Sequence, residues 1–396
     1  MEYPWSMDSP GFFPSIVFWV CSALVFYVHC GYGLLLKIFA LFLKKNPPVE
    51  PAPPSLAITV LLCVHNEEKN IKRRLENLME QDYPAGLMEI LVVSDGSTDA
   101  TENIAESFRG KFPVRLVRSP RLGKSGAQNL AVPQAKGEIV VLTDAEASFD
   151  PAFVREIAAP FADSAIGCAT GNLGLTNRDG AVSQSQGFYW RYEQNLRRME
   201  SELGILAVAS GQSMAFRRVL FREIPPFVGD DCFIPLAVVS RGYRAVYCGR
   251  AKAYDSFESE AGREFATRVR MTMRNWTGTW LFPELLNPLL HPGYAFALWS
   301  HKLLRWLGGF VLAIMALCAV LMLFHSSYFQ AAAGFCFLVF LTAGAAGYVA
   351  EKKKISAPFI GTVYSFLLAN AAFAVGVKKA LFGERILAYR SGSLKT

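Results

Sequence analysis

No two of the eight cysteines form a C-x-x-C pair, and Cys21, Cys30, Cys63, Cys168, Cys232, Cys248, Cys318 and Cys336 are scattered over the whole chain. That spacing argues against a zinc site and against a disulfide framework, and isolated reduced thiols fit a domain that faces the cytosol. Charge is also scarce, at 18% against 52% hydrophobic residues, which is apolar-rich for a soluble protein. No basic stripe interleaved with aromatics occurs in the polar part, so nucleic acid is not expected as a partner. Internal repeats and low-complexity segments are missing as well.

The apolar excess is concentrated at the two ends. Phe12 to Leu36 carries no charge beyond His29, and Leu307–Phe324, Tyr328–Ala350 and Ile355–Val377 carry none. Each run is about long enough to cross a bilayer core of roughly 30 Å. A single run could be a buried core helix, but three in close succession favour a membrane region. The opening MEYPWSMDSP lacks the basic stretch of a secretory leader, so the first run is expected to be a retained anchor. Lys44 and Lys45, then His301, Lys302 and Arg305, then Lys352, Lys353 and Lys354 flank these runs, while Glu2 and Asp8 precede the first. All three basic clusters face the cytoplasm if the chain starts outside, which makes 46–300 cytosolic. A fourth crossing would strand Lys378, Lys379, Arg385, Arg390 and Lys395 outside. Either the last run does not cross, or Leu281–Trp299 crosses too, or the rule fails here. The net charge of +7 fits flanks that meet anionic lipid. No acid or charge pair interrupts the runs, which speaks against a transporter.

Residues 46–54 (NPPVEPAPP) read as a stiff linker. Beyond it, short apolar runs alternate with amphipathic ones. Strands are expected at Ser55–Val64, Met88–Ser94, Val114–Val117 and 138–143. Helices are expected through NEEKNIKRRLENLMEQ, from a capping box at Asp99 and Glu102 to Phe108, through QGFYWRYEQNLRRMESE and through CFIPLAVVSRGY. Such alternation predicts an α/β domain with a mostly parallel sheet, whose ligand sits beyond the carboxyl ends of the strands. Those ends run into His65-Asn66-Glu67-Glu68, Asp95-Gly96-Ser97 and Asp144-Ala145-Glu146, so carboxylates collect where a ligand should bind.

An acid at one strand end ordinarily caps the next helix, the favoured reading for Asp99 and Asp150. Asp144 and Glu146, two residues apart after an apolar strand, could instead hold Mg²⁺ or Mn²⁺ against substrate phosphates. Asp230 and Asp231 precede a helix; they are either dipole-compensating caps or a general base for an acceptor hydroxyl. Lys124 could meet phosphate or be a solvated lysine. Arg268 and Arg270 lie on an amphipathic stretch beside the membrane, where snorkelling over lipid competes with a binding role.

In order, LLCVHNEEKNI, LVVSDGSTDAT, GKSGAQN, LTDAEASFDP, ASGQSMAFRR and GDDCFIPLAVVSRGYRAVY resemble the family 2 glycosyltransferases with a GT-A-type domain. The resemblance covers about Leu56 to Arg274, and NPLLHPGYAFALWSHKLLRWL looks like membrane-bound members. It implies nucleoside contacts at Glu67 and Asp95, a phosphate-side loop at Lys124, the metal-binding acids at Asp144 and Glu146, and the catalytic base at Asp231. Glu146 stands where a second Asp is usual, and Asp230 where Glu often precedes the base. Thr267, Arg270 and Met271 occupy the places of Q-x-x-R-W in membrane polysaccharide synthases. The arginine remains for the diphosphate, but Gln and Trp are gone, which speaks against long-chain processivity; Asn275-Trp276 could supply a displaced aromatic.

The expected division is an anchor at 1–45, the linker at 46–54, a cytosolic glycosyltransferase domain at 55–278, membrane-interface helices at 279–304 and about three transmembrane helices with a basic tail at 305–396. The resemblance implies an inverting transferase in a bacterial inner membrane. It would move a sugar from a nucleotide-diphosphate donor, UDP-linked by resemblance, to a lipid-linked or glycan acceptor. A processive synthase that exports its polymer and a non-catalytic nucleotide-sugar-binding protein are the alternatives.

Overall fold

The computed structural model describes residues 11–43, 55–175, 181–255, 261–325, 327–353, 355 and 357–385. The expected linker at 46–54 lies outside the described residues, as do Glu2, Asp8, Lys44, Lys45, Lys354, Arg390 and Lys395. One eight-stranded sheet, in the order β3-β2-β1-β4-β7-β6-β8-β5, forms the centre of the molecule. Its strands are β1 (Ile58–Val64), β2 (Met88–Asp95), β3 (Val114–Ser119), β4 (Ile139–Thr143), β5 (Ser148–Phe149), β6 (Ile166–Leu175), β7 (Met214–Arg217) and β8 (Arg244–Asp255). The first four are mutually parallel, and the chain order reverses at β1 and β4. That reversal opens a crevice at the carboxyl ends of β1 and β4, where open α/β sheets bind their ligands.

β1, β2 and β4 are apolar on both faces because helices cover both sides of the sheet. The second half is mixed: β7 runs antiparallel to β4 and β6, and β6 runs parallel to β8. These pairings have no distinct sequence pattern. β7 is four residues long, and glycines interrupt β6 at Gly167, Gly171 and Gly174. A Cβ on Gly171 would stand 2.7 Å from Ala251 O and 2.8 Å from the Phe153 ring, so backbone and ring approach there at glycine distance.

Fourteen α-helices accompany the sheet among the described residues. Around the sheet lie α3 (Ile71–Met79), α4 (Thr101–Glu106), α5 (Gly123–Ala131), α6 (Phe153–Ala158), α7 (Ala181–Glu202), α8 (Asp230–Val239) and α9 (Ala261–Thr279). At the start, α1 (Phe12–Phe26) and α2 (Tyr32–Phe42) join through a π-helical turn; at the end come α10 (Pro292–Ala297), α11 (Leu304–Trp306), α12 (Gly308–His325), α13 (Tyr328–Lys352) and α14 (Pro358–Leu381).

Two expectations need correction. The capping box at α4 does not close: Asp99 accepts from the Thr101 N–H at 3.0 Å, but Glu102 turns to Ser94 Oγ at 2.6 Å and Arg118 at 2.7 Å. Leu281–Trp299 is not one helix, because Pro283, Pro288 and Pro292 break it into a short 3₁₀ turn and α10.

Three helices, Phe12–Phe42, Tyr328–Lys352 and Phe359–Leu381, are long and apolar enough to cross a membrane. The pair Pro292–Trp306 and Gly308–Phe324, bent by 56°, makes a fourth if counted as one span. This region is welded to the sheet domain. Phe373 and Val377 of α14 share one buried cluster with Val228, Cys232, Trp276 and Trp306. A second joint is polar and buried. Glu193 of α7 receives Lys302 at 2.6 Å, Arg305 at 2.8 Å and His301 Nε2 at 3.0 Å. Glu200 receives Tyr32 Oη at 2.7 Å and His301 Nδ1 at 2.6 Å. Burial opposes ionisation of Glu193, but His301, Lys302 and Arg305 override it and hold the carboxyl well below the usual range.

α9 and α14 meet closely at Gly376, where an added Cβ would stand 2.7 Å from Thr272 Cβ and 2.8 Å from Val269 O. Gly376→Ala is therefore expected to cost about 1–3 kcal/mol, read as a lower melting temperature of the detergent-solubilised protein.

Candidate active site

The crevice is built from loop ends. At the end of β1, Asn66 takes a left-handed backbone (φ 55), tolerable for asparagine, and its Oδ1 accepts from the Thr98 N–H at 2.8 Å. That tie holds the β1 and β2 loops together. Glu67 is half-buried; its N–H donates to Thr101 Oγ1 at 2.7 Å, and Oε2 accepts from Asn70 at 2.9 Å. Burial pushes the Glu67 carboxyl up, Asn70 opposes this, and the charges of Asp144 and Asp99 add to it.

Asp95, at the end of β2, is buried and accepts from the Leu122 N–H at 2.6 Å, the Gly123 N–H at 3.0 Å and Arg121 Nη1 at 2.6 Å. It thereby satisfies the first donors of α5, with Gly123 at φ 77 making the turn. The residue so aimed is Lys124. Its Nζ lies 2.8 Å from Asp144 Oδ1 and 3.3 Å from Asp230 Oδ2, with all three side chains partly accessible. Burial works against the charge on Lys124, but the two carboxylates outweigh it and raise the ammonium above its usual value.

Asp230 and Asp231 occupy the first turn of α8. They are adjacent acids in unlike surroundings. Asp230 also accepts from Gln128 Nε2 at 2.8 Å, and despite burial Lys124, Gln128 and Arg274 hold it below the ordinary carboxylate range. Asp231 goes the other way: burial and the charge of Asp230 push it up, against Asn275, whose Nδ2 donates to Oδ2 at 3.2 Å. Two acids with pKa values driven apart are the arrangement expected of a charged anchor beside a proton acceptor.

Arg274 of α9 closes the far side, donating to Ser125 Oγ at 2.8 Å and to Val228 O. Burial lowers the Arg274 guanidinium, Asp230 and Asp231 oppose that, and the charge of Arg270 adds to it, which puts Arg270 in the same field. Arg268 is not brought there. It pairs with Glu264 at 2.5 Å and lies 6.0 Å from the Phe373 ring of α14.

Lys124, Asp144, Asp230 and Asp231 thus form one continuous group, and Glu67 feels the charge of Asp144. Glu146 is exposed at the rim, where its backbone carbonyl accepts from Arg73 at 3.1 Å. Among the described residues, no three His, Cys, Asp or Glu side chains gather to hold a metal ion. Trp276 is not a displaced acceptor platform: it is buried, with ring centroids 5.9 Å from Trp280 and 6.3 Å from Trp306. The sequence does not single out Gln128 or Arg274, and names Asn275 only beside Trp276, not beside Asp231. The only available signal was the four-residue step from Arg270 to Arg274, which puts both on one helix face.

Residues 59–225 match the family model for glycosyl transferase family 2. An N-acetylglucosaminyltransferase of Mesorhizobium japonicum is 25% identical over 288 residues, 66% of this chain and 68% of that protein. A beta-monoglucosyldiacylglycerol synthase of Synechocystis is 30% identical over 174 residues, 40% of this chain and 36% of its own. A solved mannosyltransferase from Pyrobaculum calidifontis, in complex with GDP-Man and Mn²⁺, superposes with a TM-score of 0.73 at 23% identity, covering 94% of this chain and 100% of that one. The last is a likeness of fold. The carboxylate-lined crevice at the sheet reversal and these matches define a nucleotide-sugar-dependent glycosyltransferase. Its sheet domain has the GT-A fold and matches glycosyl transferase family 2 over 59–225, with long apolar helices at both ends.

Gly229 tests the geometry, since a Cβ there would stand 2.2 Å from Asn275 Oδ1 and 2.5 Å from Asp231 Oδ1. Gly229→Ala is expected to lower turnover by about 10²-fold, the scale of a misplacement near 1 Å, while circular dichroism stays that of the parent.

Proposed function

We propose that this protein is an inverting glycosyltransferase that moves a sugar from a nucleotide diphosphate, UDP by the sequence resemblance, onto an acceptor held at the membrane. The observation that carries this reading is the divided acid pair. Asp230 is tied to Lys124, and Asp231 beside it has a raised pKa. Asp231 takes the proton of the acceptor hydroxyl as that oxygen attacks the anomeric carbon. The bond from that carbon to the diphosphate breaks on the opposite face, and its electron pair leaves on the phosphate oxygen. Lys124, Arg270 and Arg274 meet the developing negative charge, so the chemistry rests on positioning and on fixed charge. Glu67 and Asp95 lie at the strand ends on the nucleoside side, Asp95 acting at least through the loop that aims Lys124.

Asp144 and Glu146 fit a hard divalent cation, Mg²⁺ or Mn²⁺. Both offer oxygen ligands, Asp144 already holds the Lys124 ammonium, and two carboxylates leave positions for phosphate oxygens. Bound there, the ion would neutralise charge on the departing diphosphate.

The relatives' names support an N-acetylglucosamine or glucose donor, and the diacylglycerol in the second name supports a lipid acceptor. Against a processive synthase stand Thr267 and Met271 at the Gln and Trp positions, together with the buried Trp276. Single addition is the better reading. A non-catalytic binding protein would have little use for an acid pair tuned in opposite directions.

Membranes containing the protein should release nucleoside diphosphate from one sugar nucleotide in a panel, in the presence of Mg²⁺ or Mn²⁺. Asp231→Asn should lose about 10²–10⁴-fold of that turnover while still binding donor; turnover at the parental rate would remove Asp231 from the mechanism. The rate should rise with pH through the Asp231 pKa, above the ordinary value of about 3.9. Asp230→Asn removes the neighbouring charge, so the acid limb of its kcat/KM profile should move to lower pH.

A further inference from the structure

We propose that α14 does not cross the bilayer but lies along the membrane face on the catalytic side, so that the chain crosses three times. By composition α14 could span: Phe359–Leu381 has a mean hydropathy of 1.7, and a helix of 24 residues is about 36 Å long. Its contacts put both ends at one level.

α12 leaves the catalytic domain at Gly308, just after Arg305 has bonded Glu193. α13 returns antiparallel to it, and the two touch where a Cβ on Gly334 would stand 2.9 Å from Ala319 O. Counting back from Ala319 to Gly308 and the same number forward from Gly334 reaches Ala345, so the Ala345 region of α13 is level with Gly308. There α14 begins its packing: Gly347 abuts Ile360 O and Tyr364, and Gly344 abuts Val363 and Leu367. The middle of α14 meets the first turn of α12, with Gly309 against Asn370 O and Ala374. Its last turns belong to the catalytic domain. Gly376 abuts Val269 and Thr272 of α9, Val377 is fully buried, and the Arg385 guanidinium lies 4.3 Å from the ring of Phe227, two residues before Gly229. A helix that starts level with Gly308 and ends on the catalytic domain has no length left to reach the other side.

Two independent observations agree. The protein covers 39% of the apolar window of α14, against 22% and 17% for Phe12–Phe42 and Tyr328–Lys352. α14 is thus the most covered of the three by the rest of the protein. Charge agrees as well. With three crossings, Lys302 and Arg305, Lys352 and Lys353, and Lys378, Lys379 and Arg385 all stand on the catalytic side, as the distribution of basic residues across membranes requires. The partner of the outer face is the leaflet on that side. Phe359, Leu381 and Phe382 are 82%, 67% and 77% exposed, fit to enter the acyl boundary, and the exposed Lys352, Lys353 and Lys378 can meet anionic headgroups. In this position α14 sets the depth of α9, and with it Arg270, Arg274 and Asn275.

The test uses the full chain with an epitope tag after Thr396 or, separately, at Ser327 between α12 and α13. Sealed vesicles are prepared whose catalytic domain faces outward, established with an antibody against that domain. The Thr396 tag should bind its antibody without detergent, and the Ser327 tag only after detergent is added. A Thr396 tag hidden until detergent is added would overturn the proposal, as would a Ser327 tag accessible without it.

Discussion

The site depends on one ammonium shared between two carboxylates. Lys124 reaches Asp144 from the end of β4 and Asp230 from the start of α8, joining the parallel half of the sheet to the mixed half across the crevice. Without that cation, Asp144, Asp230 and Asp231 would be like charges crowded in a partly dry space. With it, Asp230 remains ionised and raises its neighbour. The backbone supports the lysine in turn, since Asp95 binds the first N–H groups of α5 and so sets where Lys124 points. A single buried carboxylate at the end of β2 therefore fixes where the cation beside the acid pair stands.

Much of this is legible in the sequence, and the boundary has physical causes. β1, β2 and β4 announce themselves because a strand covered on both faces is a continuous apolar run, and the acids directly after such runs fall into the crevice. β6, β7 and β8 do not, because their order depends on long-range pairing and on glycines chosen for close approach, as at Gly171. Asp144, Asp230, Asp231 and Lys124 were found because charge at a strand or helix end is conspicuous. Gln128 was not, nor was Asn275 as a partner of Asp231, because an amide on a helix face looks like any solvated residue until the fold turns it toward an acid. Arg268 and Arg270 were indistinguishable in sequence, and the helix phase separates them: one joins the field of Arg274 and the other packs on α14.

The membrane region is mechanically part of the enzyme rather than a tether. α7 is held by Glu193 and Glu200 to His301, Lys302, Arg305 and Tyr32, which anchors it to both the first apolar helix and the segment entering α12. From the end of α7 the chain runs straight to the acid pair: Ile205 N–H bonds Glu200 O, and Ala209 N–H bonds Asp231 O. α9 carries Arg270, Arg274 and Asn275 and is packed on α14. Both α7 and α9 are therefore seated on the long apolar helices, an arrangement suited to the proposed acceptor held at the membrane.

The central claim is a single displacement driven by one base, Asp231, with the leaving diphosphate held opposite. The most direct measurement is the anomeric configuration of the newly formed linkage, read by proton NMR from the product of an α-linked sugar nucleotide. The account predicts a β-linkage. An α-linked product would contradict it, because retention requires a second displacement or a front-face path that a lone base at Asp231 does not provide.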